Sequence, residues 1–158
     1  MNLWVQPSGM VEVTDSVRLD VPVERAFAFM DDPHNHVTVT PSLAEVRNVE
    51  READGRKRLD HSFRMAGVSL DGELEEVERT PNERMLFEMR GQLSGEIELT
   101  FASAGGKTDL TYTGRYDVPG RVLSAVAAPF VRRYNERELA TTLANVETAL
   151  ETDGDSSE

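Results

Sequence analysis

Residues 21–36 read VPVERAFAFMDDPHNH and combine a proline, a helix-like apolar pattern, two aspartates and two histidines. Pro22 suits the first position of a helix, where its missing N–H group removes no hydrogen bond. The apolar residues that follow recur at helical spacing on one face, and they are Val23, Ala26, Phe27 and Met30. Because Pro33 disfavours helical geometry in the residue before it, the stretch predicts a helix that ends by Asp32.

The segments on either side of this helix have the pattern of β-strands. Apolar and polar residues alternate over 11–19, as in a half-buried strand. From about residue 44 to residue 118, short runs of the same kind are separated by turn-forming segments such as ADGR, TPNER and AGGK. Runs of this length with turns between them predict an antiparallel meander.

The C-terminal part has a helical pattern. Its predicted buried face contains Val122, Ala125, Val126, Phe130, Tyr134, Leu143, Val146 and Leu150, and Glu138 is expected largely on the polar side. Pro129 lies inside this pattern and is expected to kink or split the helix. The order of elements predicts an α+β fold in which a curved antiparallel sheet wraps around one long helix.

Length and composition indicate one domain without a membrane span. The 158 residues suit a domain over 10–151, preceded by an extension over 1–9 and followed by a disordered acidic tail over 152–158. No apolar run approaches the roughly 20 residues of a spanning helix, so we expect no stable membrane insertion. The absence of cysteine excludes a disulfide framework and a thiolate metal site. With no signal-peptide pattern at the start, a cytoplasmic location is expected.

The charge balance is strongly acidic. The chain has 29 Asp and Glu residues against 17 Lys and Arg, for a net charge of −12. Lys57 and Lys107 are its only lysines. An acidic surface with few lysines indicates a halophilic source, because high salt screens the self-repulsion of such a surface. The same charge excludes nucleic acid as an expected partner, since phosphate binding needs clustered basic residues.

Four stretches together resemble the START-like helix-grip (SRPBCC) superfamily, which includes polyketide cyclase/dehydrase-like and lipid-transfer proteins. They are VRLDVPVERAFAFMDDPHNHVTVTPSLAEV (17–46), EEVERTPNERMLFEM (75–89), GGKTDLTYTGRYDVPG (105–120) and FVRRYNERELATTLANVETALE (130–151). The resemblance implies two short helices after the first strand and a deep apolar cavity between the sheet and the C-terminal helix. It also implies a small hydrophobic ligand, such as a lipid, an isoprenoid or quinone, or an aromatic polyketide-like molecule. No cofactor is expected.

The predicted cavity wall combines apolar, aromatic and a few polar side chains, as ligand cavities require. Residues on the inward faces of the strands and of the C-terminal helix are predicted to contact the ligand, and they are His61, Phe63, Met65, Met85, Phe87, Met89, Tyr112, Tyr116, Phe130 and Tyr134. His61 shares its strand face with Leu59 and Phe63, which predicts that its ring points to the interior.

Three functions are compatible with this pattern. The first is ligand binding, with His61 as a satisfied core residue or as a ligand-orienting group. The second is cyclase/dehydratase chemistry, in which His61 acts as acid or base together with Tyr112 or Asp15. Asp15 can instead be paired with an arginine, and Tyr112 can be a packed core residue. The third is a protein-interaction adaptor, although no exposed apolar patch is evident in the sequence.

The DDPHNH segment contains metal-ligating residue types, but its spacing does not predict a metal site. His34 and His36 would point about 200° apart on a helix. A third ligand at a suitable spacing is not visible. We expect residues 31–36 to end the first helix with solvated side chains, and residues 31–41 to form a lid over one mouth of the cavity.

Overall fold

The computed structural model describes residues 10–65, 67–117 and 128–156. Within these residues the chain forms seven strands and three helices. In chain order they are β1 (Met10–Leu19), α1 (Val23–Asp31), α2 (Pro33–Val39), β2 (Leu43–Arg51), β3 (Lys57–Met65), β4 (Val68–Thr80), β5 (Arg84–Gly91), β6 (Ser94–Ala104), β7 (Lys107–Asp117) and α3 (Ala128–Ser156). None of the described helices is both long and apolar enough to cross a membrane.

All the strands belong to one curved antiparallel sheet with the order β1-β7-β6-β5-β4-β3-β2. Strands β2 to β7 form the predicted meander, and β1 pairs with β7 at the far edge, where Val13 lies opposite Gly114. One face of the sheet packs against the helices, so that apolar side chains of β1 and of α3 join one core. The helix-grip fold predicted from the sequence is therefore confirmed.

Asp32 is the single residue between α1 and α2. Pro22 is the N-cap of α1 and not its first helical residue, and the helix ends at Asp31 as predicted. Asp32 then caps α2, because its Oδ1 accepts a hydrogen bond from the backbone N–H of His34 at 3.0 Å. This cap and the fixed geometry of Pro33 start the second helix without an intervening loop.

The C-terminal helix α3 differs from the prediction in its buried face and its end. Its buried residues are Val131, Asn135, Leu139, Thr142, Leu143, Val146 and Leu150. In its first two turns the buried residues are Val131 and Asn135, and not the predicted Phe130 and Tyr134. A shift of one residue rotates the buried face by about 100° around the helix axis. The helix continues to Ser156, into the segment predicted to be disordered. Helix extension costs little once earlier turns are packed.

Several predicted features lie outside the described residues, among them Val122, Ala125, Val126 and the segments 1–9 and 157–158. Pro129 is the second residue of the described helix, so the predicted kink or split there involves residues that the structure does not describe.

Candidate functional site

Two adjoining hollows lie between the inner face of the sheet and the helices. The first has a volume of about 50 Å³ and is bordered by α2, with an apolar wall that includes Leu59, Phe63, Leu74, Phe87, Ile97 and Leu99. The second has a volume of about 70 Å³ and is bordered by α3. Thr40, Phe63, Ile97 and Tyr112 line both hollows and separate them. Since a buried water needs about 10–15 Å³, each hollow has room for several water molecules.

Most of the predicted ligand-contacting residues line these hollows. His61 and Phe87 line the first, while Met65, Met89 and Tyr116 line the second. Phe63 and Tyr112 line both. The remaining predicted residues, Met85, Phe130 and Tyr134, do not border either hollow as the described residues define them.

Of these three residues, Met85 is buried beside Lys57, and the other two are exposed on α3. Met85 is fully buried, and its Sδ atom lies 3.6 Å from the Nζ of Lys57. Phe130 and Tyr134 are 62% and 40% exposed. They precede Val131 and Asn135 by one residue each, so the buried face of α3 turns them away from the sheet.

His61 is one of the polar residues that line the first hollow. Its side chain is buried with 1% exposure, and within the described part of the chain neither ring nitrogen has a hydrogen-bond partner. The ring contacts Phe63 edge to face, with 4.9 Å between ring centroids. Gly72 lies opposite His61 on β4, and a Cβ atom there would lie 3.3 Å from the His61 ring and 2.4 Å from the Arg90 carbonyl oxygen. Glycine at this position therefore makes room for the imidazole.

Burial, followed by the positive charge of Arg47, lowers the pKa of His61 below its usual value. The ring is therefore neutral at pH 7, with one nitrogen able to donate a hydrogen bond and the other able to accept one. Buried polar atoms are satisfied in the great majority of native structures, and leaving one unsatisfied costs about 1–3 kcal/mol. The position of His61 thus offers unused hydrogen-bonding capacity in an apolar hollow.

Tyr112 and Tyr116 contribute hydroxyl groups to the hollows. Burial raises the pKa of Tyr112 to about 12, and the nearby negative charge of Glu138 acts in the same direction. Burial also raises the pKa of Tyr116 far above its ordinary value. Both side chains are therefore protonated at neutral pH and can donate a hydrogen bond.

Asp15 has no role in this arrangement. It is exposed and lines neither hollow. Its carboxylate accepts a hydrogen bond from the backbone N–H of Ser16 at 2.8 Å. The arginine partner predicted as its alternative is not found among the described residues.

A cluster of buried charges at the first hollow was not predicted. Lys57 is 4% exposed and lines this hollow, and its Nζ lies 3.0 Å from Oε1 of Glu76 and 2.8 Å from Oδ1 of Asp31. Arg79 binds both oxygens of Asp31, at 2.8 and 3.1 Å. The ammonium group of Lys57 also lies 4.8 Å from the ring centroid of Phe87. A signal was present in the sequence, because Lys57 alternates with Leu59 and His61 on one strand face.

The DDPHNH segment is therefore only partly solvated. Burial alone would raise the pKa of Asp31, but its hydrogen bonds from Arg79 and Lys57 hold that pKa well below the usual range. His36 lines the first hollow, and its Nε2 lies 2.6 Å from the Met30 carbonyl oxygen. Burial lowers the pKa of His36, so its neutral ring donates this hydrogen bond. His34 is exposed, and the described residues contain no group of side chains suited to hold a metal.

Glu138 is a second feature that the sequence analysis misplaced. Although it was assigned to the polar side of the C-terminal helix, it lines the second hollow. Its Oε2 accepts a hydrogen bond from the backbone N–H of Ser42, with a donor–acceptor distance of 2.5 Å. The side chain thus connects α3 to the segment between α2 and β2. Asn145 reinforces this connection, because its Nδ2 donates to the Val39 carbonyl oxygen at 2.9 Å.

Comparison with known proteins shows one family over most of the chain. The family model described as "Polyketide cyclase / dehydrase and lipid transport" matches residues 10–151. Among proteins with curated descriptions, none matches the chain significantly.

Solved structures with low sequence identity share the fold. A START superfamily protein from Mycobacterium smegmatis has a TM-score of 0.75 and 16% identity over 89% of this chain and 97% of its own. The Zhui aromatase/cyclase from Streptomyces sp. R1128 has a TM-score of 0.71 and 15% identity, covering 90% and 94%. The protein TTHA0849 from Thermus thermophilus has a TM-score of 0.69 and 21% identity, covering 87% and 98%. Identities this low indicate a common fold, and a fold does not determine a function.

Proposed function

Because this chain belongs to the polyketide cyclase/dehydrase and lipid transport family, we propose that it binds a small hydrophobic molecule in the two adjoining hollows. The observation that carries the proposal is the position of His61, a buried neutral imidazole without a hydrogen-bond partner among the described residues. A ligand oxygen beside the ring would satisfy a group that otherwise stays unpaired.

The lining limits the chemistry of the ligand. Aromatic and aliphatic walls favour an apolar body, and His61 and Tyr112 favour a carbonyl or hydroxyl oxygen within it. Lipids, isoprenoids or quinones, and aromatic polyketide-like molecules have this combination. A ligand that fills both hollows passes the side chains of Phe63 and Tyr112, which line both.

Residues 31–41 are the proposed lid of this site. Within this segment, Pro33, His36 and Thr40 border the first hollow. Outward movement of α2 would open the hollow without separating strands of the sheet. Access control is therefore the role we propose for this segment.

A second candidate function is cyclase or dehydratase chemistry, because His61 and Tyr112 line the same hollow. A neutral imidazole can accept a proton from the carbon beside a ketone, while a protonated tyrosine donates a hydrogen bond to the ketone oxygen. In a β-hydroxy ketone the hydroxyl group then leaves with a proton as water, and an enone forms. This candidate is tested by following the conversion of a β-hydroxy ketone through the ultraviolet absorbance of the enone. The conversion should be lost in the variant Tyr112→Phe.

The acidic surface suggests a setting for this function. We propose that the protein works in the cytoplasm of a halophilic cell, where salt screens its net charge of −12. The same charge disfavours nucleic acid and anionic lipid surfaces as partners.

Fluorescence titration with the neutral probe N-phenyl-1-naphthylamine tests ligand binding directly. We expect saturable binding and displacement of the probe by 2-acetonaphthone, a ketone of similar shape. The variant His61→Leu should bind the ketone about tenfold more weakly, since one hydrogen bond is lost. His34→Leu, at an exposed histidine, is the matched control and should bind like the natural chain. Absence of saturable binding of either compound would contradict the proposal.

A further inference from the structure

The second hollow has a carboxylate in its wall. Glu138 projects from α3, and its Oε2 is occupied by the hydrogen bond from the Ser42 backbone N–H. No described residue donates a hydrogen bond to the other oxygen, Oε1. As far as the described residues go, this oxygen is open to a donor on a ligand.

The charge around Glu138 can be judged from the described lining of the second hollow. Among the described residues that line the second hollow, no other side chain is charged at neutral pH. The charge of Glu138 raises the pKa of Tyr112 and of Tyr116, in addition to the larger effect of burial, which agrees with a carboxylate close to both side chains.

The neighbouring polar groups on α3 use their donors within the helix, and no described residue donates to the amide oxygen of Asn135. The Nδ2 of Asn135 donates to the Val131 carbonyl oxygen at 2.9 Å, and the hydroxyl of Thr142 donates to the Glu138 carbonyl oxygen at 2.9 Å. With these donors used within the helix, the amide oxygen of Asn135 and Oε1 of Glu138 make this wall rich in acceptors.

We infer that Glu138 is a specificity-determining residue, which selects ligands whose polar end is a hydroxyl group and rejects ligands that end in a carboxylate. A ligand hydroxyl donates a hydrogen bond to Oε1 and accepts one from the Tyr112 hydroxyl, which lines the same hollow. A ligand carboxylate has no proton to donate and places a second negative charge beside the first. The inference rests on the proposed function, because it concerns the ligand of the same site.

Two ligands with the same naphthalene ring system separate these outcomes. At pH 7, 2-naphthol is a neutral hydroxyl compound and 2-naphthoate is its anionic carboxylate counterpart. Isothermal titration of the full chain should show 2-naphthol binding at least about tenfold more tightly, the value of one hydrogen bond to a charged group. Equal affinities, or tighter binding of 2-naphthoate, would overturn the inference.

The variant Glu138→Gln makes the test specific. Glutamine keeps an oxygen to accept from the Ser42 N–H, but it presents an N–H₂ donor where Oε1 was. We expect 2-naphthoate to gain about tenfold in affinity and 2-naphthol to lose affinity. An unchanged ratio of the two affinities in this variant would also overturn the inference.

Matched variants exclude a general effect of the substitution. Glu136→Gln makes the same change at an exposed position of α3 and should keep the preference of the natural chain. Glu138→Asp keeps the charge and should keep the rejection of 2-naphthoate, which supplies a second test if Glu138→Gln does not fold.

If no apolar compound binds the natural chain, the proposed function fails as well. If the neutral probe binds without the hydroxyl preference, only the role of Glu138 fails.

Discussion

The ammonium group of Lys57 lies 3.0 Å from the carboxylate of Glu76, and both side chains are almost completely buried. Asp31 joins this pair at 2.8 Å from the same ammonium group, and Arg79 binds Asp31 from the other side. Two largely buried cations and two carboxylates therefore neutralise one another beside the first hollow, and the more exposed Arg51 also contacts Asp31 at 3.3 Å. Removing one partner leaves a buried charge without compensation, which is much more costly than the net value of the pair.

The first prediction concerns the stability of this cluster. Lys57→Met keeps most of the apolar stem but removes the charge that faces Glu76 and Asp31. We expect the free energy of unfolding to fall by about 3–5 kcal/mol, as measured by urea denaturation. Lys107→Met changes the exposed lysine at the start of β7 and is the control, with an expected change below about 0.5 kcal/mol. Equal effects of the two substitutions would contradict the account of the cluster.

The second prediction concerns the dependence of stability on acid. Hydrogen bonds from Arg79 and Lys57 outweigh burial and hold the pKa of folded Asp31 below its unfolded value. The stabilisation is therefore complete above the unfolded pKa of about 4, and it is lost as the pH falls from there towards the folded pKa. The stability difference between the natural chain and Asp31→Asn should shrink between pH 5 and pH 3 in urea titrations (roughly the window in which unfolded aspartate titrates). Asp20→Asn, an exposed control, should show no such convergence.

The third prediction concerns the cost of His61 to the ligand-free protein. His61→Leu replaces an unsatisfied polar ring by an apolar side chain, and we expect it to raise the free energy of unfolding by about 1 kcal/mol at pH 7. Because burial lowers the pKa of folded His61, the unfolded chain binds a proton first as the pH falls below about 6.5. The natural chain should therefore lose more stability than the variant between pH 7 and pH 5. A variant that is less stable at both values would show that the ring has a partner in solution.

The fourth prediction concerns salt. The net charge of −12 destabilises the folded chain through self-repulsion, which salt screens. The melting temperature should rise between about 0.1 and 2 M KCl, since the Debye length falls from about 10 Å to less than about 3 Å. Exposed ion pairs such as Arg18–Asp109 weaken over the same range, but surface pairs contribute little. A melting temperature that falls steadily with KCl would contradict the proposed halophilic setting.

The fold followed from local patterns in the sequence. Alternation over β1, the proline before α1 and the turns between strands predicted the element order, because backbone periodicity is a property of neighbouring residues. Inward-facing residues of β3 and β5 were predicted by the same alternation, which placed His61 and Phe87 at the first hollow.

The polar part of the site depends on residues that are distant in the chain. Lys57 meets Asp31 across 26 residues and Glu76 across 19, and no local pattern pairs them. Charged residues were therefore assumed to be solvated, which is wrong for this cluster and for Glu138. In the first turns of α3 the prediction buried Phe130 and Tyr134, whereas the structure buries Val131 and Asn135, one residue later. The rotation of a helix about its axis depends on what it packs against, which the local sequence does not show.

Native mass spectrometry of the chain purified from its own host, with and without organic extraction, tests the central claim most directly. The account predicts a noncovalent apolar ligand at a one-to-one ratio, which extraction removes and which is reduced in His61→Leu. Only the mass of the free chain in every preparation, together with no saturable binding of added apolar compounds, would contradict it.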